Sequence, residues 1–330
     1  MKVLAGDIGG TNSRLALCDV AGPRVTVVAE KFYPSASFAS LSEVVRTFLA
    51  TYGADEVRSA CFGLPGPVRG RLVKPTNLPW LVDADEIERE LGLDAVYLIN
   101  DLEANAYGLA VLDPAAVRVI KPGTAIPNGN AALIAAGTGL GEAGLAWDGN
   151  RRRPFATEGG HADFAPADAF EDELLGFLRV KFGGHVSWER VVSGPGLAAI
   201  HEFLRHRGGE ALPEWAQCPA SELPGRIAAH ARDGSDPVAA EALERFFALY
   251  GAEAGNLALK LLAIGGVYLG GGIAPKLADA FADSRFVERF VAKGRMRALL
   301  EDIPVYLVLD DRAGLWGSAN YAATRRLAHA

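Results

Sequence analysis

The sequence predicts an α/β fold built from two related halves, and three features carry that prediction. Apolar runs of strand length alternate with segments of helical periodicity over most of the chain. Two stretches share one design of apolar strand, Gly/Thr turn and second apolar strand: LAGDIGGTNSRLAL at 4–17 and ALIAAGTGLGEAGLAW at 132–147. The length, 330 residues, accommodates roughly two domains with a sizeable core.

The elements follow in order. After the first hairpin, VYLIN (96–100) is a short apolar strand, and DLEANAYGLAVL follows it at once as a helix with Leu102, Ala106 and Leu109 on one face. KPGTAIPNGN (121–130), with its prolines, glycines and asparagines, is a loop before the second hairpin. RHRGGEALPEWAQCPASELPG (205–225) reads as an irregular surface excursion. EALERFFALYGAEAGNLALKLLAIGG (241–266) gives one or two buried helices, and VYLGGGIAPK (267–276) gives a strand, a glycine turn and a helix start. IPVYLVLD (303–310) is a last strand, and GLWGSANYAATRRL (314–327) closes the chain as a helix. The longest apolar stretch, Leu257–Ala274, is broken by Lys260 and five glycines, so it reads as a buried helix and a buried strand, not a membrane span.

Composition narrows the class. Half the residues are apolar and 22% are charged, a globular balance. The formal charge of −7, with no long run of like charges, argues against a nucleic-acid partner. Cys18, Cys61 and Cys218 lie far apart without CxxC spacing, so neither a disulfide framework nor a zinc site is expected. One lysine and then Asp7 stand where a signal peptide would need its apolar core, and the expected compartment is the reducing cytoplasm.

Three glycine turns follow three strands. In GDIGGT a turn already supplied with Gly6, Gly9 and Gly10 has no need of Asp7. A carboxylate beside exposed backbone N–H groups suits a magnesium ion whose waters bridge to phosphate, and Thr11 can donate to the same phosphate. The second turn brings Gly137, Thr138, Gly139 and Gly141, and the third Gly270, Gly271 and Gly272. None is followed by the lysine of a Walker loop, and none has the dinucleotide spacing. A plain hairpin remains the competing reading for each. Asp101 sits at a strand end and opens a helix. It is either an N-cap, with Asn100 as the other candidate, or an ionised acid that accepts a hydroxyl proton. Glu158, His161 and Glu189 are a surface acid, a core histidine and a helix-face acid, or else, with Asn100 and Asp101, a donor and acceptor set suited to a polyol.

Taken together, GDIGGTNSRLAL, TNLPW, INDLEANAYG, AAGTGLG, EGGHADFAP, SWERVVSGPGL and YLGGGIAP resemble, in identity and order, the bacterial glucokinases of the hexokinase type. IPVYLVLDDRAGLWGSA ends the chain as those enzymes end. The resemblance implies the actin-like ATPase (ribonuclease H-like) fold, with two α/β domains around a deep active-site cleft: 1–110 plus 312–330, and 111–311. It implies transfer of the γ-phosphate of ATP to the 6-hydroxyl of D-glucose with Mg2+, in a homodimer. Carried over by residue, Gly6, Asp7, Ile8, Gly9, Gly10 and Thr11 form the first phosphate loop, with Asp7 facing the metal. Gly137, Thr138 and Gly139 form the second, and the turn containing Gly271 and Gly272 lies near the nucleoside. Asn100, Asp101, Glu158, His161 and Glu189 match the glucose contacts, with Asp101 as the base. The alternatives are a kinase for another hexose or aminosugar, and a non-catalytic actin-like binding protein. The zinc motif of the neighbouring repressor, open-reading-frame and kinase (ROK) family is absent. Two residues depart from the pattern: Glu142 sets a charge just after the second phosphate loop, and Trp188 sets a bulky ring beside Glu189.

Overall fold

Each of the two hairpins recognised in the sequence becomes the middle of a sheet. The computed structural model describes residues 1–22, 24–53 and 56–329. The chain runs β1 (Lys2–Ile8), β2 (Asn12–Ala21), β3 (Arg24–Pro34), α1 (Leu41–Tyr52), β4 (Ser59–Leu64), β5 (Leu72–Val73), β6 (Val82–Asp83), α2 (Ala84–Leu91), β7 (Ala95–Asn100) and α3 (Asp101–Gly108). It continues through β8 (Val117–Lys121), β9 (Ala131–Ala136), β10 (Leu140–Trp147), β11 (Arg152–Thr157), α4 (Ala169–Phe182), α5 (Gly194–Gly208), α6 (Leu223–Arg232) and α7 (Pro237–Leu261). Then come β12 (Val267–Gly270), α8 (Phe286–Val291), α9 (Arg297–Asp302), β13 (Val305–Val308) and α10 (Ala313–His329). Two compact units result: Met1–Val117 with Arg153–Ala156 and Asp310–Ala330, and Arg118–Arg152 with Thr157–Leu309.

The first unit holds a five-stranded sheet in the order β3-β2-β1-β4-β7. β1 pairs antiparallel with β2 and parallel with β4, which is parallel to β7 in turn. The register sets Asp7 opposite Gly63 and Leu64 opposite Asn100, so the carboxyl ends of β1, β4 and β7 come out along one edge. That edge is where open parallel sheets bind ligands. One face of the sheet is covered by α1 and α2 through Leu41, Val44, Phe48 and Ile87. The other is covered by α3 and α10 through Ala104, Leu315, Ala319 and Ala322.

The expected apolar face of α3 is only partly right. Ala106 is buried, but Leu102 and Leu109 are half-exposed, and Ala104 and Gly108 take the inner position. The cause is a close helix crossing. A Cβ at Gly108 would overlap the Ala313 carbonyl, and one at Gly317 would overlap the Ala104 carbonyl. Small side chains, not leucines, fit that gap.

The second unit holds a six-stranded sheet, β11-β10-β9-β12-β13-β8. Its centre repeats the first: β9 is antiparallel to β10 and parallel to β12, as β1 is to β2 and β4. Residues 241–266 supply one helix rather than two. α7 begins at Pro237 behind Asp236, whose carboxylate accepts from the Val238 and Ala239 N–H groups. Its Phe246, Phe247 and Tyr250 share one core cluster with Phe281, Phe286 and Phe290. Two expectations need correcting. α5 extends to Gly208, since buried Leu197, Ile200, Phe203 and Leu204 hold it, so the irregular excursion starts four residues later than the sequence indicated. After the third glycine turn the chain makes only a short 3-10 turn, Pro275–Leu277, instead of an α-helix.

Candidate functional site

In the first unit the turn proper is Gly9–Gly10–Thr11. The Gly9 N–H bonds the Asn12 carbonyl at 2.9 Å. Gly6 and Ile8, expected in this loop, belong to β1 instead. Gly6 lies under the rings and methyls of Phe62 and Leu15, where a Cβ would collide, and its carbonyl accepts from Ser318 Oγ at 3.0 Å. The Ile8 side chain is in the core. Asp7 stands at the strand end, opposite Arg14 in the hairpin register. Burial raises its carboxyl above the ordinary value; the Arg14 charge opposes this and the Asp311 charge adds to it. Arg14 itself bonds Glu30 Oε1 at 2.6 Å and lies 3.5 Å from Asp311.

At the same sheet edge, the cap of α3 is Asn100. Its Oδ1 accepts from Leu102 N at 2.9 Å and Glu103 N at 3.2 Å, while its Nδ2 donates to the Gly66 carbonyl at 3.2 Å. Asp101 is therefore the first helical residue, not the cap, and its Oδ1 accepts from Leu102 N at 2.9 Å. Of the two roles left open for Asp101, the capping one is filled by its neighbour.

In the second unit the other two glycine turns meet. The Ile273 N–H donates to the Ala136 carbonyl at 3.2 Å, joining the chain after the third turn to the strand before the second. Gly271 has φ +80°, and a Cβ there would overlap Ala136 O, so glycine is required twice over. The Gly137 carbonyl accepts from Gly194 N at 2.8 Å, which ties the second turn to the start of α5.

The polar cluster converges on that turn. Glu158 precedes and His161 ends a 3-10 turn, Gly159–His161, whose Gly160 presses on the Leu140 carbonyl. Both side chains are exposed, with His161 Nε2 3.9 Å from Glu158 Oε2. Trp188 N donates to Ala162 O at 3.0 Å and so brings the 187–190 segment alongside. Glu189 Oε2 accepts from Leu140 N at 3.1 Å, next to Gly139. Ser193, which the sequence reading left unused, accepts from Gly196 N as the cap of α5 and donates to the Glu189 carbonyl at 2.7 Å. The Trp188 ring is buried edge-on against Phe164, so it occupies the core and not the space beside Glu189. The Glu142 carboxyl is likewise buried, lying against Gly159 and facing Glu253.

Among the described residues no group of three or more His, Cys, Asp or Glu side chains forms a metal-binding cluster. A single buried carboxylate such as Asp7, raised by burial in spite of the Arg14 charge, fits a magnesium ion that keeps its waters and takes its other ligands from phosphate. No described helix is long and apolar enough to cross a membrane.

Comparison with known proteins finds a family model described as "Glucokinase" matching residues 4–325. A glucokinase of Nostoc punctiforme is 40% identical over 97% of this chain and 98% of its own length. The crystal structure of a glucokinase from an Antarctic psychrotroph superposes with TM-score 0.86 at 34% identity, covering 98% of this chain and 99% of that one. A ROK-family glucokinase from Streptomyces griseus, solved with glucose and AMPPNP, shares the fold at TM-score 0.66 and 20% identity, over 98% of this chain and 100% of that one.

Proposed function

The chain belongs to the glucokinase family, and from that premise we propose which residues carry each part of its reaction. The protein is an ATP-dependent hexose kinase that phosphorylates D-glucose. We assign the 6-hydroxyl as the attacking group and Asp101 as the base that takes its proton. Asn100 and Asp101 from the first unit, and Glu158, His161 and Glu189 from the second, are assigned to the sugar hydroxyls. The Gly9–Thr11 turn, with Asp7, and the Gly137–Gly139 turn are assigned to the phosphates of ATP, and Gly271 and Gly272 to the nucleoside.

Phosphoryl transfer asks little covalent chemistry of a protein; positioning and charge neutralisation do most of it. Mg2+, when held by Asp7 through water, would neutralise charge on the transferring phosphoryl group. The rest falls to the chain. Glycine turns let backbone dipoles approach phosphate without side chains between them. A carboxylate at the first turn of a helix stays ionised and so can accept a proton. Side chains that both donate and accept select a sugar by its full set of hydroxyls, since an analogue lacking one leaves a partner unpaired. A cytoplasmic homodimer is the form we expect to carry this out.

The observation that carries the site reading is the hydrogen bond from Leu140 N to Glu189, which holds a sugar-type side chain against a phosphate-sized turn. The test is a coupled assay of ADP release with a panel of hexoses, run with and without magnesium. Glucose should lead the panel and chelation should abolish turnover. ADP release no faster with glucose than with no sugar would overturn it.

A further inference from the structure

Beneath the turn that carries Glu158 and His161 lies a second pair of acids that the reaction, as assigned, does not use. Glu142 is 1% exposed and Glu253 0% exposed, and their carboxyl groups face each other. Glu253 is fully provided with donors: Asn256 Nδ2 at 2.8 Å and Lys260 Nζ at 3.1 Å. Glu142 Oε1 has no hydrogen-bond partner at all. Burial and the neighbouring Glu253 both disfavour ionisation of Glu142, and Lys260 only partly opposes them. The donors gather on Glu253 and none reaches Glu142 Oε1, which marks Glu142 as the acid that keeps its proton.

The position of this acid gives it a consequence. A Cβ on Gly159 would fall onto Glu142 Oε2, so the carboxyl is the floor on which the backbone between Glu158 and His161 rests. The same segment is tied to β10 once more, since Thr157 Oγ1 donates to the Glu142 carbonyl at 2.9 Å and accepts from Gly159 N at 3.2 Å.

We propose that Glu142 is a positioning residue for the sugar-contacting turn: as the neutral acid hydrogen-bonded to Glu253 it supports Gly159, and on ionisation it is repelled and displaces that turn. The inference rests on the reading of Glu158 and His161 as glucose contacts. The groups that act on Glu142 are Glu253, Lys260 and Tyr250, all from α7. Lys293, just after α8, is acted on by the Glu253 charge and donates to Asn256 Oδ1 at 2.6 Å. Burial and the Glu253 charge push Glu142 up to about 8, with Lys260 opposing, so the change falls in the mildly alkaline range. The substrate's affinity then falls as pH rises, while the chemistry at Asp101 in the other unit is unaffected.

The test compares the parent with Glu142→Gln, an isostere of the neutral acid whose amide still donates to Glu253. In the parent, KM for glucose should rise roughly threefold or more between about pH 7 and 9 with kcat nearly constant. In Glu142→Gln, KM should match the parent at neutral pH and stay flat. Infrared difference spectra should show a protonated-carboxyl C=O stretch in the parent that is lost in the variant, and a thermal melt checks that the variant is folded. An equal rise of KM in a folded Glu142→Gln, or an unchanged carboxyl band, overturns the inference. Glu158→Gln keeps the two readings apart. If it leaves KM for glucose unchanged, the sugar-site reading fails and takes this inference with it. If it raises KM while Glu142→Gln behaves as the parent, the inference alone is lost.

Discussion

Glu189 Oε2 accepts a hydrogen bond from the backbone N–H of Leu140 at 3.1 Å, and Leu140 is the residue directly after the Gly137–Gly139 turn. A side chain assigned to glucose and a turn assigned to ATP phosphates therefore share one hydrogen bond within one unit. Removing the acceptor should disturb both substrates, and that separates Glu189 from the other sugar-site residues.

Glu189→Ala takes the acceptor from the partly buried Leu140 N–H, which costs about 1–3 kcal/mol. We expect KM to rise for glucose and for ATP together. Steady-state kinetics with each substrate varied in turn would show it, and a change in the glucose KM alone would count against the link.

Glu158→Gln and His161→Ala, by contrast, alter exposed side chains with no such tie. Loss of a charge-assisted hydrogen bond to the sugar should raise KM for glucose roughly tenfold. KM for ATP and the melting temperature should stay near the parent's, and a fallen melting temperature with an intact KM would return both residues to a structural role.

Asp101→Asn isolates proton transfer. The helix cap belongs to Asn100, so the substitution should leave the melt almost unchanged. Asparagine cannot take a proton at neutral pH, and losing a general base typically costs ~10²–10⁴ in rate. kcat should fall by that order while glucose affinity, followed by tryptophan fluorescence, changes little. A mutant turning over within a few-fold of the parent rules out Asp101 as the base.

Gly271→Ala tests the junction of the second and third glycine turns. The residue would have to hold φ +80° with its methyl against Ala136 O. A non-glycine residue in such a conformation costs about 1–3 kcal/mol, and the overlap adds to this. The melting temperature should drop clearly, and a melt equal to the parent's would show that the turn relaxes freely.

Stability should also depend on pH through Glu142. Its folded-state value, about 8, is above the ordinary 4.5, so the native state holds a proton that the unfolded chain has released in that window. The contribution is full below the lower value and is lost as pH rises through the upper one, with a slope of at most about 1.4 kcal/mol per pH unit. Relative to the parent, Glu142→Gln should gain stability between about pH 5 and 8, as read from denaturant unfolding at three pH values.

Much of the fold was legible because its signals are local. Apolar runs bounded by glycine located β1, β2, β9, β10 and β12, and the recurrence of one hairpin design anticipated the matching strand order in the two units. The inner face of α3 was not legible, because it depends on how closely α10 approaches, which no spacing within DLEANAYG records. The packing reason for Gly6 was not legible either: a Cβ there would meet Phe62, more than fifty residues away in the chain.

For the site, the sequence by itself determined the inventory: three glycine turns, a strand-end Asp7, the Asn100–Asp101 pair and the acids and histidine around 158–189. These follow from residue type and short-range position, which local chemistry dictates. The tertiary structure alone decided which of Asn100 and Asp101 caps the helix, that Trp188 turns into the core, and that Glu189 grips Leu140. It alone decided that Glu142 faces Glu253, a partner 111 positions along the chain that only the packing of α7 against the sheet brings to it. A side chain's direction and its long-range neighbours are set by how layers pack, and packing is a property of the whole fold.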